Sequence, residues 1–150
     1  MEEKFSMNSS LISVLTYIYK WVLSFFISIY EWIIPPFKYD RSGTLIQYRG
    51  WGGDVVIPKD VTIGDWAFWN CTGIIQLTIS KDVTISEGAF QACTGITQLT
   101  IPEGVTIGKN AFVHCTGITQ LTISERVTIA DQAFVGCIGI TQLTISKRVR

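Results

Sequence analysis

One short phrase recurs through the second half of the chain at a constant interval. CTGITQLTI occupies residues 93–101 and 115–123, and near copies occupy 71–79 and 137–145. The cysteine that opens the phrase therefore returns every 22 residues. A fixed period in the twenties is typical of a solenoid, in which each repeat stacks on its neighbours.

Two further motifs keep the same 22-residue step, namely Val-Thr-Ile from residue 61 and Ala-Phe from residue 67. Within the first phrase, Leu77 and Ile79 fall on one face of a strand, while the polar residues between them fall on the other. We therefore predict that each unit contributes one short strand, then Val-Thr-Ile, then a tight helical turn that carries Ala-Phe and Cys inward. No unit can bury this face alone, but stacked neighbours can.

These residues resemble the BspA-like leucine-rich repeats, whose units read roughly I-G-x-x-A-F-x-x-C-x-x-L-x-x-L-x-I-P. In the first unit the pattern is carried by Ile63, Gly64, Ala67, Phe68, Cys71, Ile74, Leu77 and Ile79, and Pro102 later takes the family's proline place. The resemblance covers about residues 43–150. It implies a β-solenoid of leucine-rich-repeat type, with four 22-residue repeats over 61–150 and an N-terminal cap hairpin over 43–60. It also implies non-enzymatic recognition, since such proteins are commonly surface antigens and adhesins of bacteria and protozoan parasites.

The N-terminal stretch over residues 11–34 is hydrophobic and contains no Gly or Pro. As a helix it would be about 36 Å long, enough to cross a hydrocarbon core of about 30 Å. Pro35 and Pro36 would then end the helix. We therefore predict one transmembrane helix ahead of the solenoid. An amphipathic helix in the membrane plane, or one that folds back on its own domain, remains an alternative, and the length of the segment disfavours a cleaved signal peptide.

These boundaries divide the chain into five segments. We expect an N-terminal tail over 1–10, a hydrophobic membrane helix over 11–36, a linker over 37–42, the cap over 43–60, and the solenoid over 61–150.

Polar residues of the predicted helix are separated by three or four positions and so line one stripe. The stripe consists of Ser13, Thr16, Lys20, Ser24, Ser28 and Glu31. Small and polar residues let membrane helices approach and hydrogen-bond to one another, and an ionisable residue within a bilayer is costly without a partner. We therefore predict that Lys20, Ser24, Ser28 and Glu31 contact other protein subunits within the lipid bilayer.

The charges on either side of this helix predict its orientation. Lys38, Arg41 and Arg49 follow the helix, whereas Lys4 alone precedes it. Basic residues favour the cytoplasmic side of a membrane. Unpaired cysteines suit a reducing compartment. We therefore predict a single-pass membrane protein with its repeats on the cytoplasmic side.

Two groups of repeat residues are candidates for binding a partner. Trp51, Trp66 and Trp69 lie in the cap and first unit, and the positions of the last two carry Gly, Asn, Gln or Val in later units. They act either as interface anchors or as packing for the N-terminal helix. The second group forms two outward ladders, Gln76, Gln98, Gln120, Gln142 and Thr78, Thr100, Thr122, Thr144. The ladders either stabilise the sheet or form a binding face, and the alternation of Thr with Gln disfavours an ice-binding surface.

Charge and residue content argue against several kinds of chemistry. Twelve basic and twelve acidic residues balance to zero, so we expect no binding to nucleic acid. A single histidine, His114, leaves little material for acid–base catalysis, and we expect it in an exposed turn. One cysteine per repeat predicts buried free thiols rather than disulfides or a zinc site. We therefore expect no enzymatic activity, no cofactor, no metal and no small-molecule substrate.

The last strand of the array is followed by Lys147-Arg148-Val149-Arg150. Either these basic residues discourage pairing at the strand edge, or a partner covers that edge.

We consider two functions for the chain. The first is a small structural or interaction subunit of a membrane assembly, docked through the helix stripe and the tryptophans. The second is a membrane-tethered adhesin or antigen that uses the face formed by the Gln and Thr ladders.

Overall fold

The repeat builds two parallel sheets. The computed structural model describes Lys20, Val22 and residues 35–150. Its strands are β1 (Phe37–Tyr39), β2 (Leu45–Tyr48), β3 (Gly53–Ile57), β4 (Thr62–Ile63), β5 (Ile74–Ile79), β6 (Thr84–Ile85), β7 (Gln98–Ile101), β8 (Thr106–Ile107), β9 (Gln120–Ile123), β10 (Thr128–Ile129) and β11 (Gln142–Ile145). Most of them are rich in Thr, Ile and other β-branched residues, which fit a pleated surface.

A six-stranded sheet has the order β1-β2-β4-β6-β8-β10, and a five-stranded sheet has the order β11-β9-β7-β5-β3. Apart from the antiparallel pair β1–β2, every neighbouring pair is parallel. Our prediction of one strand per unit was wrong, because the Thr-Ile of each Val-Thr-Ile motif forms a strand of the six-stranded sheet. The architecture is the expected β-solenoid of leucine-rich-repeat type.

The first turn of the solenoid lies within the segment that we expected to be a hairpin. β2 pairs in parallel with β4, and β3 pairs in parallel with β5. The two strands thus belong to different sheets and form a complete turn, so that the solenoid has five turns instead of four. The hairpin lies earlier, where β1 and β2 pair through a turn closed by Asp40. The carboxylate of Asp40 accepts hydrogen bonds from the backbone N–H groups of Ser42 (2.8 Å) and Thr44 (3.0 Å).

The segment that carries Ala-Phe is a series of β-turns, and our prediction of a helical turn there was wrong. In the first full unit, Trp66 and Asn70 have φ angles of 58° and 57°, which a right-handed helix does not allow. Backbone N–H groups alternate between two kinds of acceptor. Trp69 donates to Trp66 within the turn (2.9 Å), whereas Phe68 donates to Ala89 of the next turn (2.8 Å). The hydrogen bonds of the second kind connect each of these turns to the next one along the array.

An aromatic column forms the centre of the core. The rings of Phe68 and Phe90 stack with centroids 4.6 Å apart, and the column continues through Phe112 and Phe134 at 5.1 and 5.3 Å. Tyr48 begins the column in the shorter first turn, with its ring 5.0 Å from Phe68. Buried aliphatic residues surround these rings on both sheets.

Most of the predicted membrane helix lies outside the described residues. Lys20 and Val22 are described, and both are helical and exposed. The described residues include no helix that is long and apolar enough to cross a bilayer. Residues Phe37–Arg150 form one compact unit.

Candidate interaction surfaces

The two outward ladders of the five-stranded sheet are in register. Gln76 pairs with Gln98, and Thr78 pairs with Thr100. The same pairing continues through Gln120 and Thr122 to the last strand, β11. All of these side chains are exposed except that of Thr122, which is half-buried. The predicted face therefore exists as a continuous polar surface, which we call the Gln/Thr face.

An open cleft of about 430 Å³ lies on the Gln/Thr face at its N-terminal end. Its lining includes Gln76, Gln98 and Thr100, together with Ile75, whose side chain is exposed. Pro102 lies at the end of the cleft. The cleft thus combines amide and hydroxyl groups with the exposed aliphatic side chain of Ile75.

A second row of threonines, which was not predicted from the sequence, follows the six-stranded sheet. It consists of Thr62, Thr84, Thr106 and Thr128, which pair in register and are all exposed. The first residue of each Val-Thr-Ile motif is buried in the later turns, and the Ile that follows the Thr is buried in the first three. The alternation of apolar and polar residues within that motif was the signal that could have identified this row.

The three predicted tryptophans are exposed in the first two turns. Trp51, Trp66 and Trp69 keep 75%, 47% and 59% of their surface accessible. Trp51 lines a cleft of about 280 Å³ together with Tyr48 and Asn70. Large exposed indoles are common anchors of protein interfaces, because each supplies apolar area and an N–H donor. We call these three residues the tryptophan surface.

Trp66 occupies a backbone position that disfavours a large side chain. Its φ angle of 58° lies in the left-handed region, which is uncommon for residues other than Gly, Asn and Asp. The equivalent positions in later turns are Gly88, Asn110 and Gln132, all with φ angles of 58° or 59°. The Trp66 ring lies over the next turn, since a Cβ placed on Gly88 would come within 2.7 Å of it. The chain therefore tolerates backbone strain to present this indole.

The four cysteines are free thiols, but the burial predicted for all of them holds for two, whereas Cys71 and Cys137 are half-buried. Cys93 and Cys115 are buried, and the thiol of each donates to the backbone carbonyl of the Phe residue in the preceding turn, at 3.1 Å. Burial raises the pKa of the Cys93 thiol to about 12 and that of the Cys71 thiol to about 11. A protonated thiol is a poor nucleophile, so Cys71 and Cys93 serve packing.

Charged residues form a short ladder along the turns that follow the five-stranded sheet. Glu103 lies 2.6 Å from Arg126 of the next turn and 3.5 Å from Lys81 of the preceding turn. Its hydrogen bond to Arg126 holds the pKa of the Glu103 carboxyl below its usual range. Glu103 therefore pairs with a cation on either side.

The remaining predicted residues give no further site. Ser24, Ser28 and Glu31 lie outside the described residues, and of the helix stripe only Lys20 is described. His114 is an exposed turn residue with a φ angle of 58°, as predicted. Within the described part of the chain, no three His, Cys, Asp or Glu residues are arranged to hold a metal ion.

Residues 53–150 match the BspA type leucine rich repeat region in six copies. The chain belongs to this family. The BspA-type chain also resembles the crystal structure of a leucine rich cell surface protein from Faecalibacterium prausnitzii, with 23% sequence identity and a TM-score of 0.58. The match covers 74% of this chain and 38% of that protein, so the BspA-type chain corresponds to well under half of that protein's length. At this identity the likeness establishes the fold. No curated protein matches the chain significantly.

Proposed function

We propose that this BspA-type chain is a non-enzymatic binding protein that docks a protein partner through the tryptophan surface. The observation that carries the proposal is Trp66, a large exposed side chain held in the left-handed region. A side chain with a Cβ in this region costs about 1–3 kcal/mol, and the solenoid imposes the same positive φ angle at the equivalent position of every later turn. Later turns carry Gly, Asn or Gln at the same position, so the fold itself does not need an indole there.

The docked assembly is proposed to lie at a membrane. The hydrophobic segment over 11–34 would span the bilayer, and its stripe of Lys20, Ser24, Ser28 and Glu31 would contact a neighbouring subunit. The tryptophan surface is in the first turns of the solenoid, which follow that segment in the chain. In this proposal the chain is a small structural or interaction subunit of a larger membrane assembly.

The test exchanges tryptophans for the residues that later turns carry at the same positions. Trp66→Asn copies Asn110, and Trp69→Gln copies Gln91, so both replacements suit the local backbone. We expect the double variant to fold like the wild type and to lose most of its partner after crosslinking and affinity purification from the native membrane. Gln132→Asn is the matched control, because it changes the same backbone position in a later turn. Equal recovery of partners by the double variant and the control would refute docking through these indoles.

The second candidate function is adhesion through the Gln/Thr face. Two observations favour it: the cleft of about 430 Å³ on that face, and the similarity in fold to a leucine rich cell surface protein. Adhesion requires the repeats to face the exterior, whereas Lys38, Arg41 and Arg49 favour the cytoplasmic side. Gln98→Lys and Thr100→Lys would block the cleft and leave the tryptophans intact. Loss of partner with these variants alone would favour adhesion over subunit docking.

A further inference from the structure

A cleft of about 280 Å³ separates two loops that belong to the first two turns of the solenoid. Gly50, Trp51 and Gly52 line one side, residues 70–73 line the other, and Tyr48 completes the lining. Trp51 keeps 75% of its surface accessible, so it offers a face of its indole ring. The cleft therefore combines an accessible aromatic ring with two stretches of loop backbone.

Exposure of the second loop is a feature of the repeat. Thr72 begins a row that continues through Thr94 and Thr116, and all three residues are exposed. The last two lie in turns that have a neighbouring turn on either side. The polar side of the cleft is therefore open in the same way as the matching loops of internal turns.

Glycines bring the two loops together. A Cβ atom on Gly52 would collide with the backbone of Gly73, and a Cβ atom on Gly73 would lie within 2.7 Å of the Trp51 carbonyl oxygen. The N–H of Gly53 donates to the Gly73 carbonyl at 2.7 Å, and the N–H of Gly52 donates to the Tyr48 hydroxyl at 3.4 Å. The backbone beside Trp51 is therefore fixed before a ligand arrives, which lowers the entropy cost of binding.

Every residue that lines the cleft is uncharged. Its polar side chains include the amide of Asn70 and the hydroxyl of Thr72, which are exposed and have no hydrogen-bond partner among the described residues. Burial raises the pKa of the Cys71 thiol to about 11, so this group is also neutral at physiological pH. The cleft therefore presents aromatic surface and neutral hydrogen-bonding groups.

These properties limit the kind of ligand. An ionic ligand would lose hydration without meeting an opposite charge, and an apolar ligand would cover the amide and the hydroxyl without bonding to them. A sugar ring has hydroxyl groups at its edge and C–H groups on its faces, so it can pack against an indole and still form hydrogen bonds. Pockets for drug-sized ligands have volumes of about 300–1,000 Å³, so this cleft suits a ligand of about one ring.

We propose that this cleft binds a single neutral pyranose ring, the terminal unit of a glycan. One face of the ring packs against the indole of Trp51, and its hydroxyl groups form hydrogen bonds with Asn70 and Thr72. The site does not rest on docking of a protein through the tryptophan surface, because Trp66 and Trp69 do not line the cleft.

The test is an NMR titration of the full-length chain with isotopically labelled tryptophan. The probes are the methyl glycosides of glucose, galactose, mannose and N-acetylglucosamine, which represent the terminal ring of a glycan. We expect at least one of them to shift the indole signal of Trp51 in a saturable manner. The dissociation constant should be about 1 mM, because a ligand of this size has few atoms. The Trp51 signal is identified by its absence from the Trp51→Ala variant.

Three variants separate the contributions, and saturation transfer to the ligand measures binding to each. Trp51→Ala should weaken binding about tenfold, because it removes the aromatic surface. Asn70→Ala should weaken binding about two- to tenfold, because it removes one hydrogen bond. This change suits the backbone, since the equivalent residue Ala92 has a φ angle of 59°. Trp66→Asn is the matched control and should leave binding unchanged.

The proposal is overturned if none of the glycosides shifts the Trp51 signal, or if Trp66→Asn weakens binding as much as Trp51→Ala does. Cyclohexanol has a ring but a single hydroxyl group, so it should bind much more weakly than the best glycoside. Equal binding of cyclohexanol would also overturn the proposal, because the cleft would then have no selectivity for sugars. Docking of a protein partner can fail without affecting these results, since its test replaces Trp66 and Trp69 and keeps Trp51.

Discussion

The rings of Phe90 and Phe112 stack almost in parallel, with centroids 5.1 Å apart and planes 4° apart. Both residues are fully buried, and they lie at the same position of consecutive turns. Phe90 contacts a ring on either side, because it also stacks on Phe68. The column therefore links neighbouring turns through their side chains, in addition to the hydrogen bonds between their backbones.

Removing one ring from this column should strongly destabilise the protein. We expect Phe90→Ala to lower the free energy of unfolding by about 3–5 kcal/mol, because it leaves a cavity between two rings. Thr100→Ala, on the exposed Gln/Thr face, should lower it by about 0.5 kcal/mol or less. Urea unfolding followed by circular dichroism measures both. Equal losses in the two variants would contradict the assignment of inner and outer faces.

The contact between Trp66 and Gly88 can be tested by a double-mutant cycle. Gly88→Ala adds a methyl group that meets the Trp66 ring, at a residue whose φ angle is 59°, so we expect a loss of about 1–2 kcal/mol in unfolding free energy. In a Trp66→Asn background the steric part of this loss should disappear. We expect a coupling energy of about 0.5–1 kcal/mol between the two changes. Purely additive effects in thermal and urea melts would show that the ring does not lie over Gly88.

Stability should fall at alkaline pH because of the buried thiols. The pKa of Cys93 is about 12 in the folded protein, compared with 9.0 for an ordinary thiol. Since the folded pKa is the higher one, the stabilising contribution is complete below pH 9 and is lost as the pH rises from about 9 to about 12. The expected loss is about 1.4 kcal/mol for each pH unit in this window.

The pH effect is measured by urea unfolding at pH 8 and pH 10.5. We expect the wild type to lose more stability between the two pH values than Cys93→Ala, which lacks the titrating group. The variant itself will be less stable at pH 8, so the comparison concerns the change with pH alone. Equal pH dependence in the two proteins would show that the Cys93 thiol ionises as easily in the folded state as in the unfolded state.

Asn70 tests the orientation of the repeats. It begins the triplet Asn-Cys-Thr, an acceptor sequence for N-linked glycans, and it is exposed in a turn. If the repeats lie on the cytoplasmic side, expression in a eukaryotic host should leave Asn70 unmodified, as judged by a gel shift after glycosidase treatment. A glycan on Asn70, absent from Asn70→Gln, would place the repeats in the lumen and favour the adhesin function.

Lys20 tests the predicted stripe of the membrane helix. If Lys20 pairs with a group on a neighbouring helix, Lys20→Leu should strengthen membrane insertion and weaken recovery of the partner. If the side chain merely extends towards the headgroups, the substitution should leave recovery unchanged. Co-purification of both proteins from the native membrane distinguishes these cases, and Val22→Leu serves as the control because it keeps the residue apolar.

Much of the solenoid could be predicted from the sequence, because the 22-residue period repeats the inward residues Phe, Leu and Ile with little change. Alternation along Gln-Leu-Thr-Ile was enough to predict which face of the strand is exposed. The second sheet was missed for a physical reason. Its strands are two residues long in the later turns, too short to show a period of their own, and their hydrogen bonds are all to other turns.

The first turn of the solenoid could also not be predicted from the 22-residue period. Tyr48 takes the place of Phe in the aromatic column, but β2 pairs with β4 at an offset of 18 residues, from Leu45 to Ile63, instead of 22. Periodicity therefore fails there, although the ring still stacks on Phe68. The positive φ angle of Trp66 was also not predicted, although the equivalent positions of the next two turns carry Gly88 and Asn110, residue types that favour this conformation.

By itself the sequence determined the repeat, its family, and the inward and outward residues of the five-stranded sheet, because all of these depend on local patterns that recur along the chain. Only the tertiary structure decided that each Thr-Ile pair forms a strand of a second sheet. These strands are two residues long in the later turns, and their hydrogen bonds join them to other turns. They form only when the turns stack, so no local sequence pattern can indicate them.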